Sequence, residues 1–167
     1  MTRRSTFPPL VVLILAVLIA TTSTSQAIVP EHGPSASGSG NFNLRNQFGN
    51  AEVWSFSFEA LSNKNGQAHG QAQFDDLTAQ TQVIMRINCL SVEDSAFAVM
   101  SGRVLRSNDP DRPKGEVAVF AASDGELLPT PSFDTITPPF SFPGHDCHGG
   151  QPLTILPVEN GDIEILP

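Results

Sequence analysis

Hydrophobic and polar residues alternate along most of this chain with a period of two, the signature of strands that bury one face and wet the other. Trp54, Phe56, Phe58 and Ala60 alternate with Ser55, Ser57 and Glu59, giving one aromatic face and one polar face. Ser62-Asn63-Lys64-Asn65-Gly66 follows, and Asn-Gly is a strong hairpin signal because both residues tolerate positive φ. Beyond it, Ala68, Gly70, Ala72 and Phe74 share one face and Gln67, His69, Gln71 and Gln73 the other, so these two strands should pair antiparallel. Val83, Met85, Ile87 and Cys89 then alternate with Gln82, Ile84, Arg86 and Asn88. After a turn at Glu93-Asp94 a strand over 96–107 returns, with Gly102 marking a bulge or bend. Further strands are expected over 116–122 and 132–137, with a loop rich in proline and glycine over 138–152. The segments 153–158 and 162–166 read as a last short hairpin about Asn160-Gly161.

No segment carries an apolar stripe at helical spacing over more than a couple of turns, so the chain reads as all-β. A single antiparallel domain of about eight strands must bury its apolar faces by packing two sheets or closing one. Sequential hairpins favour an up-and-down meander, and hence a closed or curled barrel over a sandwich. The expected organisation is a secretory signal over 1–27, a flexible N-terminal segment over 28–40 and one β domain over 41–167. The flexible segment is inferred from composition, because Pro, Gly, Ser and Ala bury little apolar surface.

The signal reading rests on Arg3 and Arg4, the apolar run over 10–20 and the small residues of Ser25-Gln26-Ala27, which place cleavage before Ile28. That run of 11 residues is shorter than the roughly 20 a spanning helix needs, so it reads as an export address and the mature chain has no membrane span. The expected location is secreted or periplasmic. Loss of Arg3 and Arg4 leaves seven Lys plus Arg against seventeen Asp plus Glu, a formal balance of −10. Such a surface argues against nucleic acid as a partner and against a polybasic hold on anionic lipid.

Two cysteines remain, Cys89 and Cys147, and in an oxidising compartment an even count reads first as a disulfide. The richest local chemistry is His145-Asp146-Cys147-His148, where His145, Asp146 and His148 form a candidate metal set. Consecutive residues of an extended strand point to opposite faces, which is poor spacing for a closed site, and the alternative is a polar loop around the disulfide. Asn108-Asp109-Pro110-Asp111 offers oxygens to calcium but lacks the layout of an EF-hand loop, and reads more simply as a turn. No nucleophile elbow, zinc-protease helix or phosphate-cradling loop is present, so no catalytic residue is assigned and no cofactor is expected. Many carboxylates, among them Glu59, Asp75, Asp76 and Glu116, offer by residue type a pair for acid–base work but none by spacing, and His69 reads as a solvated surface residue. Trp54, Phe56 and Phe58 could line a pocket, though such stripes normally pack inward.

Gly38-Ser39-Gly40-Asn41-Phe42, Phe56-Ser57-Phe58-Glu59-Ala60, Asn88-Cys89-Leu90, Ser107-Asn108-Asp109-Pro110, Asp124-Gly125-Glu126, the late Cys147 and Gly161-Asp162-Ile163-Glu164-Ile165 occur in this order. In this the chain resembles a group of small secreted bacterial proteins of unknown activity, over nearly all of its mature length. The resemblance implies export, a compact β domain, a bacterial source and paired cysteines, and it carries no catalytic residues. The expected function is an exported, non-enzymatic β domain with a binding or structural role. Its partner would be a small apolar ligand inside the barrel or a molecule on its surface. The alternatives are a small barrel enzyme of isomerase or hydrolase type and a metal-binding protein using the His145–His148 loop.

Overall fold

The computed structural model describes residues 33–45, 48–128, 132–141, 146–149 and 154–167; the expected signal over 1–27 and residues 28–32 lie outside them. The described strands are β1 (Ser35–Arg45), β2 (Ala51–Ser62), β3 (Ala68–Asp76), β4 (Thr81–Glu93), β5 (Phe97–Ser107), β6 (Val117–Ser123), β7 (Thr135–Ile136), β8 (Phe140–Ser141) and β9 (Leu156–Leu166). Neighbours in sequence pair antiparallel from β1 through β7, and β9 inserts between β7 and β1. The ring therefore closes as an eight-stranded up-and-down barrel, and β8 is an extra strand paired to β6. Among the described residues no helix is long and apolar enough to cross a membrane.

β7 and β8 lie in succession on the same edge of β6, separated by Thr137-Pro138-Pro139. Proline has no N–H to give the ladder, so the strand breaks there. Thr137 bridges the break: its N–H donates to the Ala121 carbonyl and its Oγ1 accepts from the Ala121 N–H, both at 2.9 Å.

The alternation on β2 and β3 holds. Trp54, Phe56, Phe58 and Ala60 point inward and meet Ala72 and Phe74 across the β2–β3 ladder. Phe42, Phe74, Met85, Ile87, Met100 and Phe120 are fully buried with them in one cluster. Rings touch in series from Trp54 through Phe42, Phe56 and Phe58 to Phe120 and Phe74, with centroids 5.0–6.1 Å apart. At these spacings offset and edge-on ring pairs add to the burial of apolar area, so the barrel interior is a packed core.

Several local expectations are corrected. Residues 35–40, expected to be flexible, are the first half of β1 and pair with β2 on one side and β9 on the other. Residues 156–166 are one strand rather than a hairpin, and Asn160-Gly161 lies at a register shift where Glu159 is skipped in the backbone register with β1. The β2–β3 connection runs over residues 63–67: only Gly66 takes positive φ, at 76°, while the Asn63 side chain accepts from the N–H groups of Asn65 and Gln67. The turn at Glu93-Asp94 has positive φ at both Asp94 and Ser95, the twist that suits a tight hairpin.

Gly102 does mark a bulge, but the extra residue is Asn88 on the opposite strand. A Cβ on Gly102 would stand 1.8 Å from the Arg86 carbonyl oxygen, so only glycine fits. The bulge reverses the alternation of β4: Val83, Met85 and Ile87 point inward, then Leu90 does, and Cys89 turns outward. Cys89 is thereby placed to join Cys147, with Cα atoms 5.7 Å apart in the expected disulfide.

Candidate functional site

An open groove of about 790 Å³ lies at the end of the barrel where β2 begins and β5 ends. Leu44 closes β1 on this rim, Glu52 and Trp54 open β2, Asp76 ends β3 and Thr81 begins β4. Across it folds the loop 108–116, which contributes Asp109, Pro110, Asp111 and Arg112, and Phe140 of β8 completes the wall.

The loop is held from both sides. Asn108 extends the β4 edge beyond the end of β5: its Oδ1 accepts from the Gln82 N–H, its N–H donates to the Gln82 carbonyl and its Nδ2 donates to the Gln80 carbonyl. Arg112 donates to the carboxylate of Asp109 and to the carbonyl of Pro139, and its guanidinium lies 5.3 Å above the centre of the Trp54 indole. A cation over an indole face is favoured by the ring quadrupole, more so where water is excluded. Trp54 is buried, so Arg112 covers the top of the aromatic series and closes the barrel end.

Asp109, one of the residues considered for calcium, has other work. Oδ1 of Asp109 accepts from the Asp111 N–H and its other oxygen pairs with Arg112, as expected of a turn. In the groove Asp76 is buried, and its Oδ1 accepts from the N–H groups of Thr78 and Ala79, capping the β3–β4 turn.

The acid–base candidates are dispersed. His69 and Asp75 lie on the outer face of β3 at opposite ends of the strand, opposite Leu61 and Ser55 of β2. Asp75 accepts from the side-chain amides of Gln73 and Gln82, both at 2.7 Å. Glu59 and Glu116 are exposed, Glu59 on the outer face of β2 and Glu116 in the loop before β6. These groups meet at no common point, so they form no paired acid and base.

Of the proposed metal set, His145 lies outside the described residues. Asp146 and His148 are exposed, and Asp146 uses Oδ1 to accept from the His148 N–H at 2.9 Å. A second bond, from the Gly149 N–H to the Asp146 carbonyl, closes a turn over 146–149. The turn brings His148 beside the disulfide rather than leaving it on the opposite face of an extended strand. The meeting of Trp54 with the local Arg112–Asp109 pair was not legible from the sequence, since Trp54 is far from that loop along the chain and only barrel closure joins them.

No protein family, curated protein or solved structure matches this chain.

Proposed function

We propose that the protein is an exported, non-enzymatic β module that binds a partner on the outside of the barrel end that Arg112 covers, in the groove between the β1–β2 rim and the loop 108–116. The observation that carries this reading is the filled interior. Phe42, Phe74, Phe120, Met85 and Met100 occupy the space where a ligand-carrying barrel would hold its cargo. Recognition then falls to the outside, and the groove combines apolar side chains with carboxylates.

Leu44, Phe48 and Phe140 supply apolar surface, while Glu52, Asp76 and Asp111 share its described wall with the single cation Arg112. The chain carries a formal charge of −8. A partner segment that places Lys or Arg beside apolar residues matches both features, and charge complementarity would speed its docking. Export and a bacterial source belong to the same reading; a disulfide-bonded pair of cysteines agrees with an oxidising compartment.

Fluorescence anisotropy of a labelled peptide alternating Lys with Leu, set against its Glu-for-Lys counterpart, tests the proposal. Saturable binding of the basic peptide alone, weakened in Glu52→Gln with Phe48→Ser, supports it. Equal binding of both peptides, or binding indifferent to those substitutions, overturns it.

A further inference from the structure

The outer face of β4 brings together three ligand atoms of the kind soft metals select. Sγ of Cys89, Sγ of Cys147 and an imidazole nitrogen of His148 all lie within 4.8 Å of one another. Two independent features of the backbone produce this. The bulge at Asn88 turns Cys89 outward, and the turn over 146–149 presents Cys147 and His148 to the same side. Cys147 is buried and His148 exposed, so the cluster is walled by protein on one side and reached from solvent on the other.

In the oxidised protein the two sulfurs are bonded to each other and offer no thiolate. We infer that reduction of this disulfide creates a three-ligand Zn²⁺ site made of Cys89, Cys147 and His148. A dithiol reductant delivers two electrons and two protons to the S–S bond, which breaks to two thiols while the reductant closes its own disulfide. Zn²⁺ then displaces the two thiol protons to solvent and takes both thiolates and the neutral imidazole nitrogen, with water as the fourth ligand. Zinc binds sulfur at about 2.3 Å and nitrogen at about 2.0–2.1 Å, so tetrahedral ligand atoms stand roughly 3.5–4 Å apart. Once the S–S bond is open, Cα atoms 5.7 Å apart allow the sulfurs to reach that separation by side-chain rotation, with the strand in place.

The experiment uses the full mature chain in two states, oxidised and reduced with a phosphine, which is not itself a thiol ligand. Each is titrated anaerobically with Co²⁺ as a spectroscopic probe and then with Zn²⁺ to displace it. The reduced protein should take one equivalent of Co²⁺, with thiolate-to-cobalt charge transfer and the intense visible bands of a tetrahedral ion; the oxidised protein should show neither. His148→Ala, an exposed substitution that leaves the barrel intact, should bind at least tenfold more weakly, and Cys89→Ser should lose the charge-transfer band of a thiolate pair. Reduced protein that binds no metal, or His148→Ala that binds as tightly as the parent, overturns the inference. Near-UV circular dichroism is followed throughout. Loss of the aromatic signal on reduction that Zn²⁺ does not restore also overturns it, because the site needs the barrel to hold Cys89 opposite Cys147.

Discussion

The guanidinium of Arg112 lies 5.3 Å above the centre of the Trp54 indole while it pairs with Asp109, so one side chain seals the aromatic core and anchors the loop that crosses the barrel mouth. Removing it in Arg112→Ala leaves the Asp109 carboxylate, 7 % exposed, without its cation. The expected cost is about 2–3 kcal/mol, below that of a fully buried pair because the arginine keeps some solvent contact. Urea unfolding followed by Trp54 fluorescence measures it, and Arg112→Lys should recover only part, since an ammonium cannot reproduce the planar fork that reaches both Asp109 and Pro139.

Phe120 touches both Phe58 and Phe74 edge-on, with centroids 5.4 and 5.0 Å away. Phe120→Ala should therefore destabilise the barrel by about 3–5 kcal/mol, the sum of lost transfer energy and an unfilled cavity. The same variant should bind a small apolar probe that the parent excludes, read as a rise in melting temperature when the probe is added.

Steric fit at the β4–β5 bulge gives a third prediction. A methyl group at Gly102 collides with the Arg86 carbonyl oxygen, so Gly102→Ala must distort the ladder that also aims Cys89 outward. A loss of about 2–4 kcal/mol is expected. Disulfide formation should slow as well, which mass spectrometry of thiol-trapped refolding samples would reveal.

The Cys89–Cys147 bond closes a span of 58 residues. On the loop-entropy model such a closure stabilises the fold by about 4 kcal/mol. Comparing urea midpoints of the oxidised protein and of Cys89→Ser with Cys147→Ser should show a loss of that order, with intact mass confirming the bond in the parent.

The inward stripe of β2 could be read directly because Trp54, Phe56 and Phe58 alternate with polar residues and nothing interrupts the period. β1 could not. Ser35-Ala36-Ser37-Gly38-Ser39-Gly40 has the composition of a linker, yet it pairs along both edges. Its small residues are used for close approach: a Cβ on Gly38 would fall 2.8 Å from Cγ1 of Ile163 and 3.0 Å from the ring of Phe58. The bulk that a strand normally carries is here supplied by its neighbours, which no local pattern reveals.

Asn160-Gly161 and Cys89 depart from their local patterns for one shared reason. Each lies at a register shift, where a residue skipped in the ladder, Glu159 or Asn88, breaks the strict period of two. Asn-Gly suits a bulge as well as a hairpin turn, and the partner strand decides between them. The mouth groove depends on closure itself, since Trp54 and Arg112 meet only when the loop after β5 folds back over the start of β2.

Binding from the outside of a filled barrel is most directly tested by native mass spectrometry of the purified protein, followed by denaturation and extraction into organic solvent. The account predicts the mass of the bare polypeptide in both conditions and an empty extract. A stoichiometric apolar molecule that leaves only when the barrel unfolds would contradict it.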